Sequence, residues 1–167
     1  MANDSKTAED FSDREVIITR LLNAPPELVF MVWTQPEHLA KWWGPDGFTT
    51  TVQSMDFRQG GTLRMTLHGM GVSFPNLIKY IEVVRPEKLV YLHGSGVEDD
   101  PGEFEVTVTF TDVGGKTRLT LRSLFKTAEA RDFVIREFGA VERGNETVTH
   151  LEEYLAKIKD TANWVFN

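Results

Sequence analysis

The sequence contains no cysteine, which excludes a disulfide framework, a thiolate metal site and a thiol nucleophile. Histidine is scarce too. The four imidazoles are His38, His68, His93 and His150, and no H-x-x-x-H or histidine-plus-carboxylate spacing supports a metal site. A nucleophile elbow is also missing, because Gly94-Ser95-Gly96 lacks the G-x-S-x-G spacing and follows a strand into a loop. The pairs Gly60-Gly61 and Gly114-Gly115 stand between expected strands, so they are turns and not phosphate cradles. Positive charge is in short supply: 18 Lys and Arg against 25 Asp and Glu give a net charge of −7. Nucleic acids and anionic membrane surfaces are therefore poor partners, and net charge favours a neutral or cationic ligand. No run approaches the ~18 apolar residues of a membrane span, and the polar Met1 to Asp13 has no signal-peptide core. A cytoplasmic location is the expectation.

What is present is the composition of a folded core. Hydrophobic residues make up 41% of 167 residues, with eleven Phe and four Trp, enough for one domain and short for two. Residues 1–13 carry no apolar periodicity and are expected to form a flexible arm. The domain is expected over 14–160, followed by a tail, 161–167, with two aromatics. The β-branched run Glu15 to Leu22 predicts a strand, and Asn23-Ala-Pro-Pro26 starts a helix, since proline suits a first turn. A second proline, Pro36, restarts the chain in a short helix ending at Trp43 and Gly44-Pro45. Between Phe48 and Leu124 turn signals separate six strand-sized runs. In the clearest pair, Val106, Val108, Phe110, Leu119 and Leu121 share one face. The strand 72–84 has apolar residues on both parities, which predicts a bulge or burial on both faces. Finally Phe138, Val141, Gly144, Val148, Leu151, Leu155 and Ile158 draw one stripe along a long helix. One strand, two short helices, six strands and a long helix make an α+β fold, because no βαβ alternation follows residue 47.

Three segments carry a family resemblance: Trp33-Thr-Gln-Pro-Glu-His-Leu-Ala-Lys-Trp-Trp-Gly-Pro45, Phe57-Arg-Gln-Gly-Gly61 and Pro86-Glu-Lys-Leu-Val-Tyr91. In this order and separation they resemble the family related to the activator of the ninety-kilodalton heat-shock chaperone ATPase, of the START-like superfamily. The likeness runs from Arg14 to Lys159. It implies a helix-grip fold, with a curved antiparallel sheet under the C-terminal helix. Relatives of this fold bind lipids, steroids or polyketides, act as cyclases or aromatases, or assist chaperones, so the resemblance implies a cavity more firmly than a reaction. Many relatives carry Trp where this chain has Gly144. A glycine on a buried helix face means either close backbone approach or space left open.

The primary expectation is a small apolar or amphipathic ligand held between sheet and helix, with no cofactor and no catalytic residue. The alternatives are a co-chaperone-like interaction module and a cyclase- or dehydratase-like enzyme. A monomer or weak homodimer is expected. Trp42 and Trp43 are about 100° apart on a helix, so one ring is assigned to the core and Trp43 to the pocket. His93 and His68 end strands near Tyr91 and are candidates to meet inside as orienting groups or as a base, whereas His38 and His150 read as solvated helix residues. Glu142 beside the stripe is either a cavity-edge carboxylate or an ordinary helix surface residue. Asn76, Tyr80, Met65, Phe74, Phe138 and Gly144 complete the expected lining.

Overall fold

The computed structural model describes residues 12–159. The expected tail, 161–167, and most of the expected arm lie outside these residues, while Ser12–Arg14 forms one 3-10 turn leading into the first strand. The elements are β1 (Glu15–Leu22), α1 (Pro26–Thr34), α2 (Pro36–Trp42), β2 (Thr49–Met55), β3 (Thr62–Gly69), β4 (Val72–Val84), β5 (Lys88–Gly94), β6 (Phe104–Val113), β7 (Lys116–Leu124), α3 (Ala128–Phe138) and α4 (Ala140–Lys159). All seven strands join one antiparallel sheet in the order β1-β7-β6-β5-β4-β3-β2. The first two strands thus occupy opposite edges, and α1 and α2 carry the chain from one to the other.

Both short helices begin on proline, where the missing N–H has no intrahelical partner to lose. Helix α1 is apolar all round, and Leu28 to Trp33 are all buried, as a helix plugging one end of a sheet must be. Its polar ends are satisfied locally: Trp42 Nε1 donates to Val32 O at 3.0 Å, and Thr34 Oγ1 to Phe30 O at 2.8 Å. The buried Thr117 hydroxyl meets Ala24 O at 2.7 Å and ties the α1 entry to β7. Aromatic rings fill the space between helices and sheet, with Phe30 5.5 Å from Phe110 and Trp33 5.6 Å from the same ring.

The hairpin β6–β7 alternates as its sequence implies. Val106, Val108, Phe110 and Leu119 are buried, Leu121 packs against them, and Gly114 and Gly115 take the positive φ of a tight turn. In β4 both expected devices occur. The register shifts between Tyr80 and Glu82, leaving Ile81 exposed, and Leu77 is buried beside inward-facing Ile78.

The C-terminal segment differs from one continuous stripe. Thr127 caps α3 by accepting Ala130 N–H at 3.0 Å, and Gly139, at φ 58°, ends that helix in the left-handed region. Phe138 therefore belongs to α3 and is exposed, packed edge-on against Phe133, and Val141 is also exposed. Helix α4 buries Val148, Leu151 and Leu155. It is pinned along both flanks. Arg20 on β1 reaches Thr149 and Glu152, each at 3.2 Å. On the opposite flank, His38 Nδ1 meets the Tyr154 hydroxyl at 2.7 Å, and His150 contacts Gly44 O at 2.8 Å and Asp46 Oδ1 at 2.7 Å. The two histidines expected to be solvated are thus fastenings between α4 and the α2 region. Helix spacing along one segment carries no information about the loop that crosses it.

Candidate functional site

A cavity of about 240 Å³ lies between the start of α4 and the sheet. Strand alternation supplies one wall, because Val16 and Ile18 of β1, Val106 of β6 and Leu121 and Ser123 of β7 all point inward. The α2 end supplies another: Trp33, Trp42, Trp43, Gly44 and Pro45. Tyr91, His93, Phe104 and Phe125 complete an aromatic box, with Phe104 stacked on Phe125 at 4.8 Å and 5.0 Å from His93. From α4 the lining takes Ala140, Arg143, Gly144, Thr147 and Val148, residues three and four apart on one helical face.

Polar groups inside are few, and their roles are defined by their partners. Asn76 Nδ2 donates to Phe74 O at 3.0 Å, which orients the amide so that Oδ1 faces His93 Nε2 at 2.5 Å. The Nε2 proton is then the donor and Nδ1 is left as an acceptor. Burial pushes His93 down to about 4, against a weaker opposing pull from Asp100, so the ring is neutral near pH 7. His93 is half-buried and lines the hollow. Burial likewise pushes Tyr91 well above the usual phenol range, with the Tyr80 phenol adding to the shift and a hydrogen bond from Trp33 opposing it. Both groups are thus neutral hydrogen-bonding partners.

The expected site residues divide cleanly. Trp43, Asn76, Tyr91, His93 and Gly144 line the cavity together. Met65 and Tyr80 are buried in the core outside it, Tyr80 wedged between Phe57 at 5.0 Å and Tyr91 at 6.4 Å. Phe74 stands at the open end of β4 against Phe48, 5.9 Å away, and is 38% exposed. Phe138 turns outward on α3. Glu142 is exposed too, and its carboxylate lies over Gly139 at the start of α4, where a negative charge suits the helix dipole. His68 does not meet His93, since it is exposed and bonded to Thr51 at 3.1 Å and Ser73 at 3.2 Å. At Gly144 a Cβ would stand 2.6 Å from Ile18 Cδ1, the tip of a β1 side chain that lines the cavity beside it.

Sequence reasoning left out Phe104, Phe125, Arg143 and Thr147. Spacing could have found the last two, since they flank Gly144 at one and three residues on the same face. Phe104 opens β6 on the parity of Val106, Val108 and Phe110, so alternation could have found it, whereas Phe125 follows β7, where periodicity gives no facing.

A groove of about 730 Å³ beside the Arg85–Pro86 turn is larger, but there Pro26, Val84, Pro86 and Phe110 alternate with five charged residues, Glu27, Glu82, Glu87, Lys88 and Asp112. Ligand sites combine apolar lining with a few aimed polar groups, and only the cavity under α4 has that pattern among these two. Among the described residues no group of three or more His, Asp or Glu could hold a metal, and no helix is long and apolar enough to cross a membrane.

A seven-stranded antiparallel sheet gripped by a long C-terminal helix over an aromatic hollow defines the START-like, helix-grip class. The chain belongs within it to the family Activator of Hsp90 ATPase homolog 1-like protein, which it matches over residues 23–156. Solved structures agree. A Mycobacterium smegmatis protein superposes with a TM-score of 0.78 at 26% identity, covering 87% of this chain and 93% of its own. A Rhodobacter sphaeroides protein gives 0.77 at 26%, covering 90% and 97%. An Arthrobacter aurescens protein gives 0.81 at 21%, covering 95% and 96%, a likeness of fold. No curated protein matches the chain.

Proposed function

We propose that this protein binds a small aromatic molecule of one or two rings in the cavity under α4. The observation that carries the reading is the aromatic box itself, with two neutral hydrogen-bonding side chains inside it. Size narrows the ligand. A dry cavity of roughly 150 Å³ accepts benzene, and drug-sized ligands need roughly 300 Å³ or more, so about 240 Å³ suits one or two rings and is too small for a sterol or a long acyl chain. Binding without chemistry is favoured because among the described residues no carboxylate lines the cavity and His93 is held by an amide, which leaves no paired acid and base there.

The test is a titration of naphthalene- and benzene-based probes followed by NMR shifts at Trp43, Tyr91 and His93. Saturable binding is expected, and Gly144→Trp, whose Cβ must turn the Ile18 side-chain tip aside and whose indole fills the hollow, should abolish it in protein that circular dichroism shows to be folded. Saturable binding unaffected by Gly144→Trp, or none to any aromatic probe, sinks the reading. A second reading, a protein-interaction module, draws on the exposed Phe133–Phe138 pair and on the family's description. Its readout is stimulation of a ninety-kilodalton chaperone's ATPase, lost in Phe138→Ser.

A further inference from the structure

We propose that the ligand of this cavity is an aromatic acid whose anionic group is held at the cavity mouth by Arg143. This rests on the binding reading above and deepens it. Among the described residues Arg143 is the one charged side chain in the cavity lining. Its guanidinium carbon lies 5.6 Å from the ring centroid of Phe48, so an aromatic ring is among its neighbours. Stacking on a ring leaves the in-plane N–H fork of a guanidinium open, and that fork matches a carboxylate in two parallel hydrogen bonds.

The acids nearby are engaged elsewhere. Asp46 contacts His150 at 2.7 Å, Glu146 accepts the Asp46 backbone N–H at 3.1 Å, and Glu142 lies over Gly139. Among the described residues no carboxylate forms an ion pair with Arg143. A cation at the rim of an apolar hollow, with no internal counter-ion, gains most from an anion that arrives with an apolar body. Elsewhere in the lining His93 is neutral, and its Nδ1 is an acceptor with no hydrogen bond among the described residues, fit for a hydroxyl or amine donor on the ring. The ligand is then oriented with its anion outward and its neutral substituent inward. This departs from the expectation set by the net charge of −7, because a local guanidinium within hydrogen-bond reach outweighs distant charges that solvent screens.

The experiment compares isosteric pairs that differ in charge, benzoate with benzamide and 2-naphthoate with 2-naphthamide, by NMR titration at pH 7. Each acid should bind about tenfold or more tightly than its amide, the usual weight of a hydrogen bond to a charged group. Arg143→Gln should remove that advantage, bringing each acid and its amide to comparable affinity, and Arg143→Lys should restore part of it. Equal affinity within each pair, or an acid advantage that survives Arg143→Gln, overturns the assignment and leaves the aromatic cavity standing. Tighter binding of the amides overturns it too, and shows that the surrounding acids dominate. Saturation by none of the four probes overturns both the assignment and the binding reading.

Discussion

At the scale of single residues, His93 has the sharpest physical consequence. Its folded value near 4 lies below the ordinary 6.5, so the unfolded chain takes up a proton over a range where the fold does not. The contribution is therefore intact above about pH 6.5 and is lost as pH falls toward 4, on the order of 3 kcal/mol in all. Urea unfolding from pH 7.5 to 4 should show this as a slope that His93→Gln flattens; parallel slopes in both proteins would show that His93 titrates normally. Residue identity was partly legible. Trp43 ends α2, while Asn76 within β4 and Tyr91 and His93 within β5 share one inward face. Met65 and Tyr80 share that parity and still miss the cavity, because alternation names a face and not the distance along it. Phe74 misses for the same reason.

At the scale of elements, the tightest constraint is the turn joining β2 to β3. Gly60 N–H donates to Tyr80 O at 2.8 Å and Tyr80 N–H to Gly61 O at 3.0 Å, so the turn is stitched to β4 as well. A Cβ on Gly61 would stand 2.0 Å from the Asp56 carbonyl oxygen, a backbone atom that no rotamer change can move away. Gly61→Ala should cost at least about 2 kcal/mol in chemical denaturation, and a change below 0.5 kcal/mol would refute the close approach. Strands and turns were readable because glycine pairs and alternation mark them. The break at Gly139 was signalled by the glycine itself, but a stripe spaced by threes and fours runs straight through it when only apolar residues are counted. Tertiary fastenings such as His150 to Gly44 join segments far apart in sequence, where no local pattern points.

At the scale of the whole molecule, α4 is a clasp held on both flanks, by Arg20 on β1 and by His38 and His150 on the α2 side. The loop fastened by His150 includes Gly44 and Pro45, which are also cavity wall. His150→Ala should therefore speed amide hydrogen exchange at residues 44–47 with only a small loss of global stability. If exchange there is unchanged, the fastening does not hold the mouth. The sheet order has a consequence of another kind. Among the described residues strand β1 pairs only with β7, Glu15 opposite Leu124. A chain emerging from the ribosome must carry its first strand unpaired, with Ile17 on one face and Ile18 on the other, until nearly the entire sheet has been synthesised. Translation thus leaves this fold without a border during most of its making, and a pause before residue 116 would expose that edge to other chains.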